Sequence, residues 1–138
     1  MSDDRAAEYL ALSVVTPGGS AIASGRKTIE VRSWQPHSLP LKDLLIIENR
    51  RRLDIEGDFD PDGFVVAVVD VVSIAPWTSS EVEHACATSW APGYWAWRLS
   101  NVRRVASPLQ AEARRGLYQI TLPRALSVQA CLAATSTR

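Results

Sequence analysis

SGRKTIEVRSW, residues 24–34, is the stretch whose reading decides the fold. Thr28, Glu30 and Arg32 alternate with Ile29 and Val31, the period-two spacing of a strand with one polar and one apolar face. Glu30 and Arg32 therefore point to the same side, as neighbours along the strand, with Lys27 just before them at a corner. Such a run has two readings. It can be a solvated strand face carrying an internal ion pair, which contributes little. It can also grip an anion, because Lys and Arg offer two positive partners and Arg engages a phosphate or carboxylate through two parallel bonds. Spacing alone leaves both open.

Working outward from this strand, Tyr9–Val15, YLALSVV, reads as a buried strand. Thr16 suits a helix N-cap, Pro17 the first helical position and Gly25 the stop. Gly18 and Gly19 keep this helix short, and the free N–H groups of its first turn favour anions. After the signature strand, QPHSLP (Gln35–Pro40) is a loop and Asp43–Asn49 a strand. Asp54–Gly63 is an acidic loop, and Gly63–Ile74 a long β-branched strand. TSSEVEHACA reads as a helix start, with Thr78 or Ser79 as cap and Glu81 and Glu83 in the first turn. Tyr94–Val105 and Gly116–Leu122 close the series as strands. The strands follow one another without regular helical crossovers, which argues against a doubly wound parallel sheet. The expected fold is α+β: a small, mixed, mostly antiparallel β-barrel of five or six strands, with two or three short helices across its mouth. A domain over 9–123 is expected, between a flexible N-terminus (1–8) and a C-terminal tail (124–138).

A chain of 138 residues suits one domain, and an apolar fraction of 46 % supplies a core without metal or disulfide staples. Lys plus Arg equals Asp plus Glu at 15 each, so no general attraction to phosphate backbones follows from the total. The distribution is uneven. Asn49–Arg52, Arg103–Arg104 and Arg114–Arg115 are basic islands, while Asp54–Asp62 is acidic. Cys86 and Cys131 sit in no CxxC or Cys/His cluster, so neither zinc nor another metal or cofactor is expected. The start MSDDRAAEY does not read as a signal peptide, and no apolar run reaches about 18 residues. A reduced, cytoplasmic location away from the membrane is the expectation.

With its flanks in order, the opening stretch resembles the G-x-K-x-x-E-x-R signature of the ASCH domain family, within the PUA-like superfamily. Gly25, Lys27, Glu30 and Arg32 occupy the signature positions. LSVVTPGGSAIASG resembles the family's opening strand and short helix, GFVVAVVDVV its central strand, and YWAWRLSNVRRV followed by RGLYQI its closing pair. The similarity runs from about Leu10 to Leu122. The resemblance implies a PUA-like barrel with a cleft beside the opening helix and the signature strand, facing RNA, nucleotides or nucleobase-like ligands. One branch of similar fold acts as an amidohydrolase on acylated cytidines, using a lysine, a threonine and a glutamate. Its lysine corresponds to Lys27, but its threonine position is Glu30 here, and Thr28 would sit differently. Glu81 and Glu83 are the nearest candidates for its glutamate.

Two functions follow as expectations. The first is binding of RNA, a nucleotide or a modified nucleobase in a cleft lined by Lys27, Glu30, Arg32, Trp34, Ser13, Tyr94 and Trp95. Trp34 ends the signature strand, and Tyr94 and Trp95 follow the loop APG, so each is a candidate platform for base stacking. Otherwise tryptophan is a large core filler, and Trp95 and Trp97 share one strand face. The second is hydrolysis of acylated nucleosides or of RNA, with Lys27 as general base or electrostatic stabiliser and Glu30 activating water. Asn49 could read a base edge, and Arg50, Arg51 and Arg52 could form an electrostatic rim. His37 and His84 have no visible partner, and Ser13 no visible base.

Overall fold

Leu44, Leu45, Ile46 and Ile47 are four consecutive apolar residues and all are fully buried, which requires a sheet covered on both faces. Their side chains alternate accordingly. Leu44 and Ile46 pack with Leu12, Val14, Val69, Val71 and Trp97. Leu45 and Ile47 pack with Ala11, Val65, Val68 and Ala113. The computed structural model describes residues 6–123, 126 and 128–130. Its elements are β1 (Ala7–Val15), α1 (Gly18–Ala23), β2 (Ile29–Arg32), β3 (Leu41–Asn49), β4 (Phe59–Pro76), a 3₁₀ turn (Ser79–Glu81), β5 (Trp95–Arg114), β6 (Leu117–Leu122) and β7 (Val128–Ala130). Most of the expected tail lies outside the described residues.

The strands form one mixed sheet in the order β2-β5-β4-β3-β1-β6, with β7 pairing β5 off this path. β1 and β3 are parallel and the remaining pairs antiparallel. Ile22 and Ala23 of α1 pack into the first core cluster. Ile29 packs with Trp77, Ala85 and Ala96 in a third.

Among the described residues the expected barrel is not closed, because the ladder ends at β2 on one side and β6 on the other. β2 has four residues and spends its ladder on β5. The gap between β2 and β1 is crossed by a side chain: Arg32 Nη2 donates to Ser13 O at 2.8 Å. β4 and β5 are far longer than expected, at 18 and 20 residues. Four register shifts interrupt their ladder, and each such irregularity bends and twists a strand pair. Phe59–Gly63, expected in the acidic loop, joins β4 because Phe59, Asp60 and Gly63 pair with Arg114, Ala113 and Ala111.

Among the described residues the helix count is corrected to one α-helix and one 3₁₀ turn. TSSEVEHACA begins as expected, with Thr78 in the cap position and its N–H donating to Glu81 Oε1 at 3.0 Å. It does not propagate, because the His84 carbonyl accepts the N–H groups of Thr28 and Ile29 at the entry to β2, and Cys86 turns the chain at φ 53°. Thr16 is not the cap of α1 either. Pro17 holds that position, and the Thr16 N–H donates to Asn49 O at 2.8 Å, tying it to β3. Nor is the first turn of α1 open to an outside anion. Glu48 of β3 accepts the Ser20 N–H at 2.7 Å and the Ser20 hydroxyl at 2.8 Å.

Candidate ligand-binding cleft

The antiparallel register sets Glu30 opposite Trp97 and Arg32 opposite Trp95, so these four side chains share one face. Ile29 and Val31 turn to the other face and pack with Ala96 and Trp77, which is what the alternation dictates. Glu30 is only 5 % exposed. Its Oε2 accepts from Arg32 Nε at 2.8 Å, and its Oε1 lies 3.3 Å from Lys27 Nζ. Lys27 Nζ also donates to Ala85 O at 2.7 Å. A continuous polar line therefore runs from Ala85 O through Lys27, Glu30 and Arg32 to Ser13 O. One carboxylate serves two cations, leaving the trio with one net positive charge. Glu30 Oε1 is buried and accepts no hydrogen bond among the described residues, so its counterpart there is the charge of the Lys27 ammonium.

Glu30 and Arg32 line a cleft of about 1250 Å³ that also takes in Ser13, Trp34, Asn49, Phe59 and Tyr118. Its charged lining consists of Arg32, Arg51, Arg52, Arg114 and Arg115 against Glu30, Asp54, Glu56 and Asp58. A neutral chain thus gathers five guanidinium groups around one concavity.

Among the expected site residues, the structure brings Glu30, Arg32, Trp34 and Ser13 to the cleft wall and sets Lys27 behind Glu30. The Trp34 ring meets Trp97 edge-on, with centroids 5.0 Å apart. Trp97 Nε1 donates to Trp34 O at 3.3 Å, fixing the start of the loop. The Ser13 hydroxyl is already used: it accepts the Arg114 N–H at 3.0 Å and lies 3.0 Å from the Tyr118 hydroxyl. Tyr118 donates its own proton to Glu112 O at 2.8 Å, so Ser13 is the donor to Tyr118. Burial pushes the Tyr118 phenol up, which keeps that donor protonated.

Tyr94 and Trp95 are not part of the cleft lining. Trp95 packs against the first core cluster, and exposed Tyr94 meets Trp77 edge-on at 6.5 Å. His37 and His84 are exposed and likewise outside it, as is Thr28. Neither Glu81 nor Glu83 lines it. Glu81 pairs with Arg98 at 2.7 Å and caps the 3₁₀ turn. Asn49 does reach the cleft, but its Nδ2 donates to Arg51 O at 2.6 Å. Arg51 and Arg52 form part of the rim and Arg50 does not.

Phe59 and Tyr118 are cleft residues without a local signal in the sequence, and the basic island Arg114–Arg115, not among the expected site residues, lines the cleft as well. The signal for the last two was present: a basic pair followed by Gly116, whose φ of 70° marks the tight β5–β6 turn. Among the described residues no group of His, Cys, Asp and Glu could hold a metal ion, and no helix is long and apolar enough to cross a membrane. The family model of the ASCH domain matches residues 12–109, a span that includes the signature strand and the Asn49–Phe59 wall. No curated protein matches the sequence.

Proposed function

Because the chain belongs to the ASCH domain family, we propose that its cleft binds a nucleobase-bearing ligand, either a nucleotide or a short single-stranded stretch of RNA. The observation that carries this reading is Glu30, nearly buried at the cleft wall and held between Lys27 and Arg32. The pair Glu30–Arg32 presents an acceptor and a donor side by side, suited to a base edge, and Trp34 offers an apolar surface beside them. The arginine rim suits the phosphates that accompany such a base. A net charge of zero fits a compact ligand better than a long duplex, whose affinity rests on many phosphate contacts.

Hydrolysis draws less support. Lys27 donates to Ala85 O, is paired with Glu30 and stands behind the wall, and Glu30 fills the position where the amidohydrolase-like branch carries its threonine.

Titration of nucleosides and short RNA oligomers against wild type, Lys27→Ala, Arg32→Gln and Trp34→Ala tests the reading. Loss of a charge-assisted contact at Arg32 should weaken binding roughly tenfold or more, and loss of the Trp34 ring by a similar factor. Melting curves confirm that each variant folds. Incubation with acylated cytidines and RNA completes the test. Product formation that Glu30→Gln abolishes would replace the binding reading by the hydrolase one. Equal affinity in wild type and in all three variants would remove the cleft from consideration.

A further inference from the structure

Three arginines around the cleft each carry a carboxylate from their own stretch of chain: Arg51 has Asp58, Arg52 has Asp54 and Arg114 has Glu112. Arg51 shows the arrangement in full. Its Nη1 donates to Asp58 Oδ2 at 2.9 Å and its Nη2 to Asp58 Oδ1 at 3.1 Å. Two parallel bonds onto two oxygens is the pattern a guanidinium also makes with a phosphate. Asp58 is aimed at the fork by its own backbone, since the Phe59 N–H donates to Oδ1 at 2.9 Å. Arg51 Nη2 also donates to Phe59 O at 2.7 Å, so the fork stays oriented when its anion changes. Both partners remain open to water, with side-chain exposures of 52 % for Arg51 and 27 % for Asp58. Both line the cleft next to the Phe59 ring, itself 48 % exposed on a wall where an apolar side chain would otherwise be covered.

We propose that Asp58 is an internal stand-in for a phosphate: it occupies the Arg51 fork, and a phosphate-bearing ligand enters the cleft by taking that fork from it. The fork is thereby reserved for ligands that bring further contacts, because a bare polyanion must first displace a competitor already in place. The nucleic-acid part of this inference rests on the binding reading above, whereas the phosphate part can be tested alone.

The test uses full-length protein and calorimetric titration with two probes, a short single-stranded oligouridine and inorganic pyrophosphate. Asp58→Asn and Asp58→Ser are each measured with and without Arg51→Gln; Ser retains an acceptor for the Phe59 N–H and so guards against a collapsed loop. An exposed ion pair is weak, so freeing Arg51 should tighten both probes by about two- to fivefold. It should also steepen the dependence of log affinity for oligouridine on log salt by about 0.7. Both gains should vanish with Arg51→Gln. Unchanged or weaker binding in both Asp58 variants overturns the proposal, as does a gain that persists without Arg51. Oligouridine binding that is equal across the set overturns the fork and leaves the cleft reading standing. An Arg51-dependent gain for pyrophosphate with no oligouridine binding supports the fork and removes the nucleic-acid reading. No binding of either probe by any of the proteins overturns both.

Discussion

Glu30 stands between two cations that would otherwise repel each other across a largely buried space, with Lys27 Nζ at 3.3 Å and Arg32 Nε at 2.8 Å. Replacing it removes the counter-charge and leaves two desolvated cations, the situation in which breaking a buried pair is most damaging. Glu30→Ala should therefore destabilise the fold by about 3 kcal/mol, at the lower end for a buried pair because Arg32 still reaches solvent. Glu30→Gln keeps a neutral acceptor for Arg32 and should cost less. Urea denaturation checks this as a shift of midpoint at constant slope; an Ala variant as stable as wild type would reduce the trio to surface decoration. The alternation in TIEVR placed Glu30 and Arg32 on one side correctly, because period two needs only local geometry. It could not place the Lys27 ammonium, whose acceptor Ala85 O is 58 residues away in sequence. Trp95 shows the same limit from the other side. Its strand face was legible, but not that the core and the Arg32 side chain already flank that face.

At the scale of an element, α1 exists although its sequence, GGSAIA, begins with two of the poorest helix formers. The glycines serve packing. A Cβ on Gly19 would lie 2.8 Å from Glu48 Cβ, and one on Gly18 would lie 2.6 Å from Val14 Cγ1, so only glycine lets the helix start sit this close to β3 and β1. That approach is what allows Glu48 to take the Ser20 N–H, a capping bond supplied from another element. Glu48→Ala should cost about 1 kcal/mol, as for loss of a cap. Gly19→Ala should cost about 1–3 kcal/mol through crowding. Alanine at 48 keeps the Cβ that crowds position 19 but removes Cγ and the carboxylate. What the two variants share is the Ser20–Glu48 bond, so the double variant should lose less than their sum. Thermal melting of the four proteins measures this coupling, and strict additivity would mean that Gly19 and Glu48 are independent. Sequence signals gave this helix its place and length but the wrong cap, since Thr16 has the right chemistry and its backbone is committed to Asn49. The acidic stretch misled in a similar way. DFDPDG has the composition of a loop, yet Phe59–Gly63 lies in β4, because its ladder partners near Arg114 are about fifty residues away and leave no local trace.

Across the whole molecule, β3, β4 and β5 are joined at one charged knot that lies outside the cleft. Asp70 of β4 is buried and accepts the Asp43 N–H at 3.0 Å, Arg103 Nη2 at 2.7 Å and Asn101 Nδ2 at 3.0 Å, with Lys42 at 3.6 Å. The knot sits where both ladders shift register and where Asp43 and Asn101 adopt φ of 55° and 48°, so it replaces regular pairing at the bend of the sheet. Burial alone would raise the Asp70 pKa, but the bonds from Asn101 and Asp43 and the charges of Arg103 and Lys42 together hold it below the usual value. Glu81 is lowered in the same way, with burial opposed by Thr78 and Arg98. A carboxylate whose folded pKa is depressed contributes stability that is complete above its unfolded pKa and is lost as pH falls through the folded value. The unfolding midpoint in urea should accordingly be flat from about pH 5 to 7 and fall below about pH 4, where free Asp and Glu carboxyls take up protons. Asp70→Asn should lower stability at pH 7 and make the acid limb shallower, so that the variant and wild-type curves converge at low pH. Curves that stay parallel down to low pH would mean that the knot does not hold Asp70 ionised, and that acid sensitivity arises elsewhere in the sheet.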